Sequence, residues 1–198
     1  MTKKESNNSR TMIAALQVSL DGFTEGPNGE KDWADPWNSA LQLIPDIDTF
    51  VLGGRMYPDY GEYWQAIHDH PDRVPPFQDR IASTNEIAYA QLAAKTPHVV
   101  LSKTLETVSW PAAKIIRDVA PLRELKEQPG KNIYVVGGAT LVSILLNEGL
   151  LDELRLIVHP VVLGKGQALF GGINRRLSLD LVQAKSTEAG RVILTYRT

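Results

Sequence analysis

Short apolar runs alternate with polar turns along most of the chain. Stretches with helical composition lie between and after these runs, at about 58–67, 81–95, 119–127 and 139–146. The runs themselves are nearly continuous in apolar residues, which is typical of strands buried on both faces of a sheet. They cover 11–18, 49–52, 98–101, 113–116 and 133–136. Strands that alternate with helices predict a largely parallel sheet with helices on both faces.

The C-terminal part of the chain has a different pattern. Residues 152–163 predict a longer strand. Leu177, Leu179 and Leu181 then alternate with polar residues, before a turn at 188–190 and a last strand at 192–196. This hairpin adds antiparallel strands, so we predict a three-layer α/β fold around a mixed, mostly parallel sheet.

The segment that follows the first strand is long and polar. Residues 23–36 are rich in Gly, Pro, Asn and Asp and predict a loop, which by its length is a candidate functional loop. Residues 37–46 predict one short helix. Residues 1–10 predict a flexible tail, and because no repeat or linker divides 11–198, we expect a single domain there.

Composition narrows the classes of function. The 198 residues include 21 basic and 23 acidic ones, so the net charge of −2 offers no basic excess for a nucleic acid or an anionic membrane. Cysteine is absent, which excludes thiol catalysis and iron–sulfur clusters. No apolar run reaches the ~20 residues of a membrane span, and the start lacks a signal-peptide pattern. We therefore expect a cytoplasmic protein.

Two turns share one pattern, a buried strand followed by a Gly-Gly pair and a helix start. They are Val51-Leu-Gly-Gly-Arg55 and Val135-Val-Gly-Gly-Ala139. A glycine pair lets backbone N–H groups approach an anion, and a helix N-terminus adds partial positive charge. Two such turns suit a ligand with two phosphates, although each could equally be a tight packing turn.

A third strand end presents hydroxyls around a cation, at Leu101-Ser-Lys-Thr104. This chemistry suits a ribose monophosphate, and Arg55 could join it as a forked donor. The alternative is an ordinary solvated turn. Because no acidic residue ends this strand to accept a ribose hydroxyl, a dinucleotide bound here is expected to be the phosphorylated form.

Several other residues are weaker candidates. An aromatic floor for a planar heterocycle could be formed by Trp33, Trp37, Tyr57 and Trp64, or these residues could be core or dimer contacts. The His68-Asp-His70 spacing suits a metal, but it lies in a polar segment without a third ligand, so we expect no metal site.

Five segments, taken in order, resemble one family. They are Ile13-Ala-Ala-Leu-Gln-Val-Ser-Leu-Asp-Gly22, Leu52-Gly-Gly-Arg-Met-Tyr57, Val100-Leu-Ser-Lys-Thr104, Ile133-Tyr-Val-Val-Gly-Gly-Ala139 and Pro160-Val-Val-Leu-Gly-Lys-Gly166. Together they resemble the dihydrofolate-reductase-like family, in the branch similar to the C-terminal reductase domain of the bifunctional riboflavin-biosynthesis deaminase/reductase. The resemblance implies an eight-stranded mixed sheet, NADPH as hydride donor, a small heterocyclic substrate and a homodimer.

The resemblance also implies roles for individual residues. Ala15 and the Asp21-Gly22 bend would line the nicotinamide. The other implied cofactor contacts are Gly53, Gly54, Arg55 and Met56 at the adenosine-side phosphates, Leu101, Ser102 and Lys103 at the 2′-phosphate, and Gly137, Gly138, Ala139, Thr140 and Leu141 at the pyrophosphate. Trp33, Trp37 and Asp21 would face the substrate.

The chain departs from the family at two kinds of position. Gly54 stands where the family usually has Arg, and Met56 where it usually has Thr, so we expect weaker or altered cofactor binding. The carboxylate of true dihydrofolate reductase is replaced by Trp37 or Asn38. Asp21 is the nearest candidate for a catalytic group, and its alternative role is to stabilise the turn before Gly22.

The expected function is an NADPH-dependent reductase of a small heterocycle, of the 5-amino-6-(5-phosphoribosylamino)uracil reductase type. A second hypothesis is a module that binds NADPH as a sensor without turnover. True dihydrofolate reduction is a third hypothesis, which the missing carboxylate disfavours.

A substitution at Lys103 tests the expected choice of cofactor. Lys103→Ala should weaken binding of NADPH more than binding of NADH, because its charge would face a phosphate that only NADPH carries. The measurement is the dissociation constant of each nucleotide. Equal weakening of both would contradict the role given to Lys103.

Overall fold

A computed structural model describes residues 10–34 and 46–198. The strands in this part of the chain are β1 Met12–Ser19, β2 Phe23–Glu25, β3 Ile47–Gly53, β4 His98–Leu101, β5 Ala113–Ile116, β6 Asn132–Val136, β7 Glu153–His159, β8 Gln167–Ala168, β9 Asp180–Ser186 and β10 Val192–Arg197. The helices are α1 Tyr57–Asp69, α2 Thr84–Lys95, α3 Ala120–Glu127 and α4 Ala139–Asn147.

Eight strands form one sheet in the order β5-β4-β3-β6-β1-β7-β10-β9. The pairs from β5 through to β7 are parallel, and β10 is antiparallel to both of its neighbours. The mixed, mostly parallel sheet of eight strands is therefore confirmed. Strands β2 and β8 add a separate antiparallel pair that the sequence did not predict.

A hydrophobic core lies on each face of the sheet, which confirms the three-layer α/β architecture. On one face, α3 and α4 pack against side chains such as Val51, Val135 and Leu154. On the other, α1 and α2 pack against Phe50, Leu52 and neighbouring residues. Because both faces are covered, the central strands must be apolar throughout, as the continuous runs indicated.

Local chemistry explains where several predicted elements begin and end. Helix α2 begins at Thr84 rather than 81, because Ser83 and Glu86 form a reciprocal capping box. The predicted strand 152–163 ends at His159, because Pro160 has no N–H to donate to a sheet ladder. The predicted loop 23–36 contains β2, since Phe23 pairs with Ala168. The predicted helix at 37–46 lies almost wholly outside the described residues.

Arg10 corrects the boundary of the predicted N-terminal tail. Its side chain is buried, forms an ion pair with Asp48, and donates hydrogen bonds to Thr49 Oγ1 and Lys131 O, both at 2.8 Å. Residue 10 therefore belongs to the folded domain, where its hydrogen bonds connect the amino ends of β3 and β6.

The order of the strands brings the predicted site segments together. Strands β4, β3, β6 and β1 are consecutive in the sheet and parallel. Their carboxyl ends therefore meet at one edge, which is where open α/β sheets bind ligands. The Gly-Gly turns, the Ser102 turn and the bend at Asp21 all follow these four ends.

A buried polar cluster lies between α1, α2 and β4. The Tyr60 hydroxyl lies 2.7 Å from the Tyr89 hydroxyl and 3.2 Å from Nε2 of His98. His98 is fully buried, and burial lowers its pKa to about 4. The folded protein therefore holds His98 neutral, whereas the unfolded chain takes up a proton near the ordinary value of about 6.5.

This difference predicts a pH dependence of stability. Because the unfolded state binds the extra proton, the contribution of His98 to stability is complete above about pH 6.5 and is lost as the pH falls toward 4. It amounts to about 3 kcal/mol over that range. Denaturant unfolding at several pH values checks it. His98→Gln should flatten the dependence, and the exposed His70→Gln should leave it unchanged; a slope that His98→Gln does not alter would contradict it.

Candidate functional site

Two cavities open at the carboxyl ends of the central strands. The larger has a volume of about 760 Å³ and the smaller about 360 Å³. Four residues belong to both walls: Glu25, Lys31, Met56 and Gly138. The two cavities therefore adjoin one another. Glu25, at the end of β2, and Lys31, in the loop that follows, lie at their boundary.

The larger cavity unites segments that are far apart in the sequence. The predicted residues in its wall are Gly53, Gly54, Arg55, Met56, Leu101, Ser102, Gly138, Ala139, Thr140 and Leu141. Both Gly-Gly turns and the β4 turn thus face one space, as their position after parallel strands predicts. Lys103 is exposed and is not among the described residues of either wall.

The glycines of the two turns serve different purposes. A Cβ on Gly54 would overlap the side chain of Ser102, and a Cβ on Gly137 would lie 2.6 Å from Leu141 Cδ2. These two glycines permit close packing, as the alternative interpretation held. A Cβ on Gly138 would instead meet only Glu25 Oε1, at 3.9 Å, so the absent side chain leaves space open at the cavity wall.

Gly138 is also the N-cap residue of α4, and no side chain caps this helix end. The first turn of a helix has N–H groups without partners inside the helix. Ala139, Thr140 and Leu141 form that turn and line the larger cavity. Uncapped donors beside an open space are a suitable cradle for a phosphate group.

The Ser102 hydroxyl is prepared to donate a hydrogen bond. Its oxygen accepts the backbone N–H groups of Thr104, at 3.3 Å, and Leu105, at 2.9 Å. A hydroxyl has two acceptor positions and one donor. The O–H of Ser102 is therefore left to donate, and it has no acceptor among the described residues. An anionic oxygen in the larger cavity is a suitable acceptor.

The charges at the larger cavity are mixed. Arg55 and Lys31 contribute positive charge, and Glu25 and Asp59 contribute negative charge. Lys31 Nζ lies 3.2 Å from Glu25 Oε1, so part of the positive charge is already paired. The sequence showed no acidic residue at the end of β4, but Asp59 and Glu25 bring two carboxylates to this cavity from other parts of the chain.

The smaller cavity has an aromatic and polar wall. Ala15 lies in it together with Gly137 and Gly138. The residues that the sequence did not single out here are Gln17, Thr24, Tyr63, Gln78, Arg80, Glu86 and Tyr134. Gln17 is held from behind by the buried His159, whose Nε2 lies 2.8 Å from Gln17 Oε1.

Glu86 is fixed in its ionised form. Arg80 donates to both of its oxygens, at 2.8 and 3.0 Å, and this pairing is the main reason that its pKa falls to about 2. Ser83 and the Tyr63 hydroxyl, at 2.7 and 2.9 Å, also donate to it. Burial and the bond to Glu86 raise the pKa of Tyr63. Neither group therefore changes its protonation near neutral pH.

Asp21 faces another loop rather than either cavity. Its carboxylate accepts hydrogen bonds from Ser19 Oγ at 2.7 Å and from the backbone N–H groups of Leu163 and Gly164, at 3.2 and 2.7 Å. These bonds, that of Ser19 foremost, lower its pKa. The arrangement favours the alternative role of Asp21 as a residue that stabilises the bend. Its neighbour Gly22 has φ of +83°, which favours glycine, and is also outside both walls.

The two tryptophans have separate outcomes. Trp33 packs edge-on against His159, with ring centroids 5.3 Å apart, and is not among the described wall residues. Its indole nitrogen is buried and has no hydrogen-bond partner within the described parts of the chain. Trp37 lies outside the described residues.

Residues 10–34 and 46–198 also bear on two further features, a metal site and a membrane span. No group of three side chains there has the arrangement of a metal site, and His68 Nδ1 lies 3.0 Å from its neighbour Asp69. None of the helices in these ranges is both long and apolar enough to cross a membrane.

Known proteins resemble this chain in sequence and in fold. The family model of the RibD C-terminal domain matches residues 10–194. The uncharacterized protein YyaP of Bacillus subtilis (strain 168) is 34% identical over 190 residues, which cover 94% of both chains.

Two solved structures are similar at lower sequence identity and support the fold alone. A riboflavin-biosynthesis-type protein from Shewanella sp. PV-4 has a TM-score of 0.66 and 22% identity, over 94% of this chain and 98% of that one. Dihydrofolate reductase from Enterococcus faecalis, solved in complex with NADP(H), has a TM-score of 0.56 and 14% identity, over 94% and 95%. Because the family model covers nearly the whole chain, this protein belongs to the RibD C-terminal domain family of reductase-type domains.

Proposed function

We propose that the protein is an NADPH-dependent reductase of a small heterocyclic substrate, of the 5-amino-6-(5-phosphoribosylamino)uracil reductase type. One observation carries the proposal. Both Gly-Gly turns and the Ser102 turn line a single cavity, and a second, smaller cavity adjoins it. The first suits an extended dinucleotide, and the second suits a compact substrate beside its reactive end.

The residues of the larger cavity fit a nucleotide with several phosphates. The space beside Gly138 and the uncapped start of α4 would hold the diphosphate. The phosphate on the adenosine ribose would be held by the O–H of Ser102 and the guanidinium of Arg55. Ala15, in the smaller cavity, would then lie beside the nicotinamide. When bound, the nicotinamide supplies a hydride.

The smaller cavity would select and orient the substrate. Tyr63 and Tyr134 offer ring surface for a planar group, and Gln17 and Gln78 offer amides. Glu86 holds Tyr63 and Arg80 in fixed positions, so it orders the wall and does not supply a proton. Catalysis would rest on orienting the donor and acceptor atoms, and water or the substrate would provide the proton.

A sensor that binds NADPH without turnover is the second candidate. The ionised state of Glu86 and the bonded carboxylate of Asp21 favour it, because neither offers a proton at neutral pH. The homodimer and the cytoplasmic location expected from the sequence stay predictions.

Turnover distinguishes the two candidates. The absorbance of NADPH at 340 nm would be followed with the riboflavin-pathway pyrimidine, dihydrofolate and simple dicarbonyl compounds. Oxidation dependent on the pyrimidine supports the proposed reductase. Tight binding of NADPH without oxidation by any compound supports the sensor, and absence of NADPH binding rejects both.

A substitution of Gly138 tests the phosphate cradle directly. Gly138→Val should abolish dinucleotide binding and leave the protein folded, because the added Cβ enters the open space beside α4 and has only Glu25 Oε1 within 4 Å, at 3.9 Å. Calorimetric titration with NADPH measures binding, and thermal unfolding measures the fold. Ala184→Val, on the exposed edge strand β9, is the control for introducing a valine away from both cavities. Unchanged affinity in Gly138→Val would reduce this turn to a packing device.

A further inference from the structure

Arg117 closes the turn that carries Ser102. It is the first residue after β5, and its Nη1 donates to the carbonyl oxygens of Ser102, at 2.8 Å, and Leu105, at 2.7 Å. The same turn is closed from inside by Ser102 Oγ, which accepts the N–H of Leu105 at 2.9 Å. Both ends of the four-residue turn are therefore held by one guanidinium and one hydroxyl.

The turn is also joined to both neighbouring strands. Ser102 N donates to Ile116 O at 3.0 Å, which links it to the end of β5, directly before Arg117. Gly54 N donates to Leu101 O at 3.0 Å, and the missing side chain of Gly54 leaves the space that Ser102 fills. These contacts hold the Ser102 hydroxyl in the wall of the larger cavity.

The same contact explains why no cation projects from position 54. Any side chain there would overlap Ser102, so an arginine at that position and the present Ser102 turn exclude each other. Arg117 reaches the turn from the opposite side, from the end of the edge strand β5. Its exposed guanidinium places a permanent positive charge on the backbone of the turn.

We propose that Arg117 is a positioning residue that gives this protein its preference for NADPH over NADH, acting through the Ser102 turn. The proposal rests on the proposed function, since it assumes that the dinucleotide binds in the larger cavity. Arg117 fixes the carbonyl groups on both sides of the turn and thereby directs the Ser102 O–H at the phosphate that only NADPH carries.

The test compares the affinities of both nucleotides in the full chain. Isothermal titration with NADPH and with NADH would be run on wild type, Arg117→Met and Arg117→Lys. We expect Arg117→Met to weaken NADPH by about tenfold and NADH by less than about twofold. Arg117→Lys, which keeps the charge and can still donate to both carbonyls, should recover most of the NADPH affinity. Arg123→Met is the matched control. Arg123 lies on α3, and its exposed side chain donates hydrogen bonds to Glu148, the residue directly after α4.

A double substitution separates action through Ser102 from a direct effect. If Arg117 acts through Ser102, Arg117→Met should add little to the loss of NADPH affinity caused by Ser102→Ala. Additive losses would show instead that the two residues act independently and would overturn the positioning role. Circular dichroism and thermal unfolding of each variant establish that it is folded, and Arg117→Gln, which also removes the charge, takes the place of Arg117→Met if that variant does not fold.

The failure of this inference and that of the proposed function look different. A wild-type protein that binds neither nucleotide overturns both. A wild-type protein that binds NADPH more tightly than NADH, with Arg117→Met weakening both equally or neither, overturns only the role of Arg117. An unchanged ratio of the two affinities assigns Arg117 to structural support of the turn.

Discussion

The structure depends on the burial of its central strands on both faces. Strands β1, β3 and β6 lie between two hydrophobic cores, so their interior positions carry apolar side chains almost without exception. Polar side chains are consequently scarce in the interior of these strands, and those of the cavities come from the strand ends and from segments packed beside them. The parallel direction of these strands collects their ends at one edge. Both cavities lie there, and their walls are made largely from turns and from segments packed beside them.

This constraint explains how much the sequence could predict. Continuous apolar runs identified the central strands, and glycine pairs identified the turns that line the larger cavity, because both signals are local. Errors occurred where a distant partner decides the structure. Strand β2 exists because Phe23 pairs with Ala168, far along the chain, and Arg10 is ordered by Asp48 and Lys131. Nothing in the residues next to Phe23 or Arg10 indicates those partners.

The smaller cavity was the least predictable part of the site for the same reason. Tyr63, Arg80 and Glu86 come from α1, the segment after it and α2, and none belongs to a recognisable motif. The capping pattern at Ser83 could have drawn attention to Glu86, but as a helix start rather than as the centre of a hydrogen-bond network. Asp21 shows the opposite case, in which a conspicuous motif residue is hydrogen-bonded to the loop at 163–164 and is not among the described wall residues of either cavity.

The position of Glu25 and Lys31 between the two cavities has one further consequence. Glu25 and Lys31 belong to the walls of both cavities and are ion-paired with each other. A molecule in either cavity alters the electrostatic environment of this pair, and the neighbouring cavity experiences the same change. Thermodynamic linkage makes such an effect reciprocal, so the occupant of each cavity shifts the affinity of the other by an equal factor. Were both cavities to bind ligands, a single carboxylate and a single ammonium group would connect the two binding equilibria.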